Sequence, residues 1–374
     1  MKTTPQKNKK PLCEQPFTLW NMKTEGWRAC CNRHLKPQNI PGNPWNSQYQ
    51  REFRKKMFDK DTLPAECHSC LHYGYNSAMK YGGTFDPAKY DYTTGAMLGE
   101  IEVMQYFLGN KCNLACDTCD TEHSIMHGKV FPDRVIDVDK VISIDQLSEI
   151  LLHQPNSVVV YGGEPFVYRN LNSDLIKILE NTDATVSVLT NGSYDLVENG
   201  FWEEIVLKYP KRLCMVFSLD GTRELNEKIR RGLNHDILER NIDQCVNNLD
   251  LLHFATVHVT ISTMNIDNLE DIFQWWLERV HRGNTFLFDL CAVVKPHDMA
   301  LHNLPRTTRM KYAERFRKYL EEVVLESVRT IDAKWVVKSA ITSFKDLITA
   351  LEVDHTPKDI YGSNLNAIDV KIIS

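Results

Sequence analysis

Val158-Val159-Val160-Tyr161-Gly162-Gly163-Glu164-Pro165 is a β-branched run that halts on two glycines, a glutamate and a proline. The apolar run is short enough for a buried strand, and the glycines after it leave the backbone without Cβ atoms, so a ligand can approach closely. The same texture recurs on both sides. Strands are expected at 101–107, 157–161, 185–189, 213–219, 255–262 and 285–293. Helical patterns fall between them at about 172–180, 195–208, 236–249 and 268–280, the last with Leu269, Ile272, Phe273, Trp276 and Val280 on one face. A further helix is opened by the capping box Ser143-x-x-Gln146.

Six strands alternating with helices predict an α/β fold, a partial (β/α)6 TIM-like barrel over residues 98–300. Beyond it, Pro305 at a first helical position starts a long helix to about Val328, and a second covers about Ser339–Leu351, giving a helical extension over 301–374. Residues 1–97 differ in kind: they are rich in Pro, Gly, Asn and aromatic residues and carry little periodicity. One amphipathic helix stands out there, from Trp45 to about Asp59, with Tyr49, Phe53 and Met57 on one side. Arg51, Arg54, Lys55 and Lys56 take the other faces, which are expected to be solvated.

The 374 residues suffice for two or three domains with ample core, and 44 basic against 49 acidic residues leave a net charge of −5, which calls for no polyanionic partner. Nucleic acid is therefore not an expected partner. No apolar run reaches the roughly 20 residues that cross a bilayer, so no membrane association and a cytoplasmic location are expected. Eight of the eleven cysteines precede residue 120, a clustering better explained by metal or cluster ligation in a reducing compartment than by disulfides.

Three of those cysteines stand in Lys111-Cys112-Asn113-Leu114-Ala115-Cys116-Asp117-Thr118-Cys119, directly after the first expected barrel strand. Barrel enzymes keep their chemistry at that end of their strands. Three thiolates cannot complete the four-cysteine shell of an iron–sulfur cluster, and an open position marks a catalytic metal site. A zinc knuckle remains the rival reading of this loop alone. His123 and His127, four residues apart just beyond it, are expected to be surface histidines without an acidic partner.

The loop closely resembles the signature of the radical S-adenosylmethionine (radical SAM) superfamily, and the turns after later strands resemble that family's motifs in order. Gly162-Gly163-Glu164-Pro165 matches the GGEP motif, and Thr190-Asn191-Gly192 and Ser218-Leu219-Asp220-Gly221 match the polar strand ends. Arg231-Gly232 matches a recurrent Arg-Gly. The resemblance implies that Cys112, Cys116 and Cys119 hold a [4Fe–4S] cluster whose fourth iron binds S-adenosylmethionine. It implies that Gly162, Gly163, Glu164 and Pro165 receive the cofactor's ammonium. Thr190, Asn191, Ser218 and Asp220 would contact its ribose and carboxylate, with Arg231 pairing with the carboxylate. Thr118 stands where many members carry an aromatic residue for adenine.

The N-terminal cysteines resemble the auxiliary-cluster module called SPASM or, when shortened, twitch. Carrying that resemblance are Cys13, a hairpin ending in Cys30-Cys31, Trp45-Asn46-Ser47 at a helix start, and Cys67-x-x-Cys70. It implies a second auxiliary iron–sulfur cluster held by Cys13, one of Cys30 and Cys31, Cys67 and Cys70. The same spacing permits a structural zinc site. The whole resemblance implies a radical SAM enzyme that abstracts a substrate hydrogen and takes electrons from a donor such as flavodoxin or ferredoxin. A peptide or protein substrate is expected, with a small sugar or nucleotide-like molecule, or a noncatalytic scaffold, as alternatives. Asp289 and Cys291 share one face of the last strand by alternation, which makes Cys291 a candidate hydrogen donor against the blander reading of a small buried residue.

Overall fold

The computed structural model of the chain describes residues 10–23, 26–30, 38, 44–59, 61–64, 67, 85–132, 145–280, 285–293, 296–327, 329, 331 and 334–352. The fold is α/β, and eight strands make one mostly parallel sheet. The described residues divide into two compact units. One takes those up to Tyr106 and 145–157, and the other takes those from Phe107 to 132 and from Val158 to Glu352.

In the first unit β1 (Leu19–Lys23) and β2 (Gly26–Arg28) form an antiparallel hairpin with Lys23 opposite Gly26. The other side of β1 pairs in parallel with β3 (Val103–Phe107), Leu19 lying level with Val103. Expected only as a hairpin arm, β1 is a full member of the sheet. Trp20 packs on Trp27 at 4.1 Å between ring centroids, and Phe17 meets Phe85 and Tyr90 edge-on at 4.7 and 5.1 Å.

The basic helix is Gln48–Lys56, capped by the Ser47 hydroxyl, which accepts the Gln50 N–H at 3.3 Å. Its basic side is not wholly solvated. Arg54 is completely buried, donates to the Pro16 carbonyl at 2.7 Å and the Asn46 side-chain oxygen at 3.1 Å, and lies over Trp45. Burial pulls its pKa down to about 9. The expected capping box is also corrected: the helix runs Gln146–His153 and Asp145 caps it through the Ser148 N–H, while Ser143 lies outside the described residues.

In the second unit the strands are β4 (Ala115–Cys116), β5 (Ser157–Tyr161), β6 (Thr185–Thr190), β7 (Leu213–Ser218), β8 (Arg230–Arg231), β9 (Phe254–Ile261) and β10 (Phe286–Ala292). Sheet order is β5-β6-β7-β9-β10, and β6, β7, β9 and β10 pair in parallel; β4 and β8 form a separate antiparallel ribbon. Helices Leu171–Asn181, His235–Val246 and Leu269–Val280 supply crossovers. The helix expected over 195–208 is not continuous. Asp195 turns the chain by accepting the Val197 and Glu198 N–H groups, Gly200 at φ 77° breaks the run, and only a π turn at Trp202–Val206 follows.

Register fixes two unlike faces on β9 and β10. Asp289 lies level with His258, and Cys291 with Thr260, on one face; Phe288 and Leu290 point to the other. There Phe288 meets Phe273 and Trp276 at 5.4 and 5.5 Å and stacks on Phe344 of helix Lys334–Glu352 at 6.1 Å. Ser339 of that helix donates to the Phe288 carbonyl at 2.8 Å, and Ser343 accepts the Leu290 N–H at 3.3 Å, so serines satisfy backbone groups of the last strand. The preceding helix is Arg306–Tyr319. Pro305 is its cap rather than its first residue, and the helix continues through a π turn at Leu320–Val324.

Candidate functional site

β3 leads into the three-cysteine loop, and β5 leads into the Gly-Gly-Glu-Pro turn, which is laid directly against that loop. Gly163 N–H donates to the Gly109 carbonyl and Glu164 N–H to the Lys111 carbonyl, both at 2.8 Å. A Cβ on Gly163 would sit 2.2 Å from the Lys111 oxygen, so the bare backbone is required by the cysteine loop itself. Tyr168 adds a prop by accepting the Lys111 N–H on its hydroxyl at 3.0 Å.

Glu164 is completely buried and ties its own turn to the end of β6. Its carboxylate accepts from the Thr190 hydroxyl at 2.8 Å, the Asn191 N–H at 2.7 Å and the Phe166 N–H at 3.1 Å. Burial pushes its pKa up to about 7, against the pull of those donors. Pro165 opens the short 3-10 turn Pro165–Val167. The Asn191 amide then reaches back to the cysteine loop, donating to the Asn113 side-chain oxygen at 3.0 Å and lying 3.8 Å from the Cys112 sulfur.

The ribbon of β4 and β8 brings the Arg-Arg-Gly segment to the same loop, with Cys116 opposite Arg230 and Ala115 opposite Arg231. The two arginines diverge. Arg231 is half exposed and pairs with Asp117 at 2.8 Å. Arg230 is buried, forms a 2.9 Å ion pair with fully buried Asp220, and lies 3.9 Å from the Cys116 sulfur. Burial opposes its charge, but Asp220 and Cys116 more than offset this and raise its pKa. Arg230 is the site residue that motif matching passed over for Arg231. Its signal was the adjacent pair itself, because neighbours on an extended segment take opposite faces. Asp220 is held in turn by the Thr260 N–H at 2.9 Å.

The donor set fits a cluster with an open iron. Cys116 is buried and Cys112 and Cys119 half-buried on one loop. The Leu114 N–H points at the Cys112 sulfur at 3.4 Å, and a guanidinium lies beside Cys116, so thiolate charge is met by donors already in place. Burial raises all three thiol pKa values, that of Cys116 to about 12, which makes them poor bare thiolates and leaves deprotonation to a bound cation.

Ser218 lies level with His258 at the end of β7. Cys291 is half-buried on the face opposite the helices. The expectation of two surface histidines is corrected: His127 is fully buried against Phe131, and His123 has an acidic partner, Asp120, at 3.0 Å, with Glu122 beside it. In the first unit Cys13 is half-buried and Cys30 and Cys67 are buried; Cys31 and Cys70 lie outside the described residues.

Residues 106–275 match the Radical SAM superfamily. The chain is 32% identical over 82 residues to a 7-carboxy-7-deazaguanine synthase of Hyperthermus butylicus, a stretch covering 22% of this chain and 31% of that protein. SuiB of Streptococcus suis, solved with S-adenosylmethionine, aligns over 73% of this chain and 63% of its own at 14% identity and a TM-score of 0.43. TYW1 with a lysine-pyruvate adduct aligns over 58% and 70% at 18% identity and a TM-score of 0.32. The three-cysteine loop, the Gly-Gly-Glu-Pro turn and the Arg-Arg-Gly ribbon all lie within the stretch that matches the Radical SAM superfamily.

Proposed function

We propose that this chain is a cytoplasmic radical SAM enzyme that cleaves S-adenosylmethionine reductively and abstracts a hydrogen atom from a peptide or protein substrate. The observation that carries the reading is the lock between the cysteine loop and the Gly-Gly-Glu-Pro turn, made by two backbone hydrogen bonds and a glycine that tolerates no Cβ. In the proposed architecture residues 98–300 form the partial (β/α)6 barrel, 1–97 the auxiliary-cluster module and 301–374 a helical extension.

Cys112, Cys116 and Cys119 would hold a [4Fe–4S] cluster, which when bound supplies the electron that splits the sulfonium of S-adenosylmethionine to a 5′-deoxyadenosyl radical. The chain's own residues bind and orient. The Gly162-Gly163-Glu164-Pro165 backbone offers acceptors to the cofactor's ammonium. Glu164 acts beneath it, fixing Thr190 and Asn191 through its buried carboxylate. Ser218 and Asp220 border the ribose and carboxylate side, where Arg230 supplies the buried positive charge and Arg231 the outer one. Cys291 would return a hydrogen atom to a substrate radical. Cys13, one of Cys30 and Cys31, Cys67 and Cys70 would hold the second cluster, and a flavodoxin or ferredoxin would deliver electrons.

A second reading, a small nucleotide-like substrate, is favoured by the 82-residue likeness to the 7-carboxy-7-deazaguanine synthase. The test of the function is anaerobic reconstitution with iron counting and an assay for 5′-deoxyadenosine after reduction. Full iron loading with no deoxyadenosine would overturn it in favour of a noncatalytic scaffold.

A further inference from the structure

On the sheet face opposite the helices, His258 of β9 and Asp289 of β10 stand level, and the His258 Nδ1 lies 2.7 Å from an Asp289 carboxylate oxygen. The two are unequally placed. The Asp289 side chain is 5% exposed, whereas that of His258 keeps 29% of its surface open. Ser218 lies level with His258 on the other flank, and Cys291 follows one step further along the same face of β10. A buried carboxylate on Nδ1 fixes an imidazole's tautomer and ring orientation, and with the proton held on Nδ1 the basic nitrogen of the ring is Nε2.

We infer that His258, oriented by Asp289, is a proton-transfer residue for a substrate bearing a hydroxyl, amine or amide beside the carbon whose hydrogen is taken. The inference rests on the proposed radical function. In the forward step Nε2 takes the proton of the substrate O–H or N–H, the bonding pair stays on the substrate heteroatom, and the imidazolium is held against Asp289. The reverse step returns the proton. No electron is gained or lost by the protein. Asp289 is a positioning residue and acts only through His258. Among the described residues, the titratable and charged groups on the neighbouring strands of this face include Asp289 and Cys291 on β10 and Cys214, level with Phe254 at its far end; beyond the end of β7, Asp220 accepts the Thr260 N–H and pairs with Arg230.

The test is nitrogen NMR of histidine-labelled, full-length, cluster-reconstituted protein, with His258→Gln used to identify the His258 signals among the 13 histidines. The expected result is a neutral His258 carrying its proton on Nδ1. Asp289→Asn should lower its titration midpoint by roughly one to three pH units, and Asp289→Glu should restore it. Wild-type His258 protonated on Nε2 when neutral, or a midpoint unmoved in Asp289→Asn, would overturn the inference. The wild-type tautomer decides this even if a variant fails to fold. The same wild-type sample is assayed for 5′-deoxyadenosine: product with His258 in the Nε2–H form overturns the inference alone, and no product at full iron loading overturns the function beneath it.

Discussion

The two faces of β9 and β10 are made by the same two short segments and have opposite characters. On one, Phe288 and Leu290 are sealed under Phe273, Trp276 and Phe344. On the other, His258, Thr260 and Cys291 stay half-buried and only Asp289, in contact with His258, is buried. Strand alternation therefore lets each strand supply packing energy on one face and polar, reactive groups on the other. The β4 and β8 ribbon repeats the lesson over two residues, with Arg230 turned in and Arg231 turned out.

The largest effects should come from the inward members. Arg230→Ala leaves Asp220 buried beside no guanidinium and should cost about 3–5 kcal/mol in chemical denaturation, against at most about 1 kcal/mol for Arg231→Ala. Equal losses would erase the distinction between the two arginines. Phe288→Ala on the sealed face should cost about 3–5 kcal/mol, whereas Cys291→Ala on the open face should cost about 1 kcal/mol or less yet change the product formed. A large stability loss in Cys291→Ala, with normal product, would return that residue to packing.

Glu164→Ala strands donors at Thr190, Asn191 and Phe166, and should cost about 1–3 kcal/mol while weakening S-adenosylmethionine binding at unchanged iron content. Unaltered cofactor affinity would show that the strut is not needed by the pocket. The same carboxylate also makes stability depend on pH. Because burial raises Glu164 to about 7, above the ordinary value of about 4.3, its contribution to stability is complete below that ordinary value and is lost as pH rises through about 7. Wild-type stability measured relative to Glu164→Gln, which does not titrate, should therefore decline between about pH 5 and about pH 8. A difference constant with pH would contradict the raised carboxyl.

Much of this was legible in sequence because it is local. The apolar runs at 157–161 and 213–218 announce buried strands, and the turns after them carry recognisable residues in order. What sequence reading missed depends on distant partners. β1 is a sheet member because Leu19 meets Val103, 84 residues on, and Arg54 is buried because Pro16, Asn46 and Trp45 converge on it. The role of Gly163 was legible as close approach, but the approaching atom, the Lys111 oxygen, was not. Arg230 was hidden by its neighbour, and His258 had no motif; its significance comes from standing level with Asp289 on the next strand.

The central claim is that Cys112, Cys116 and Cys119 form the site at which S-adenosylmethionine is cleaved. Its most direct test is 5′-deoxyadenosine formation by anaerobically reconstituted, reduced wild-type protein beside the Cys112→Ala, Cys116→Ala, Cys119→Ala triple variant. The account predicts product from the wild type and none from the triple variant, which should still retain about four irons if the N-terminal cysteines hold the second cluster. Product from the triple variant at the wild-type rate would contradict the account.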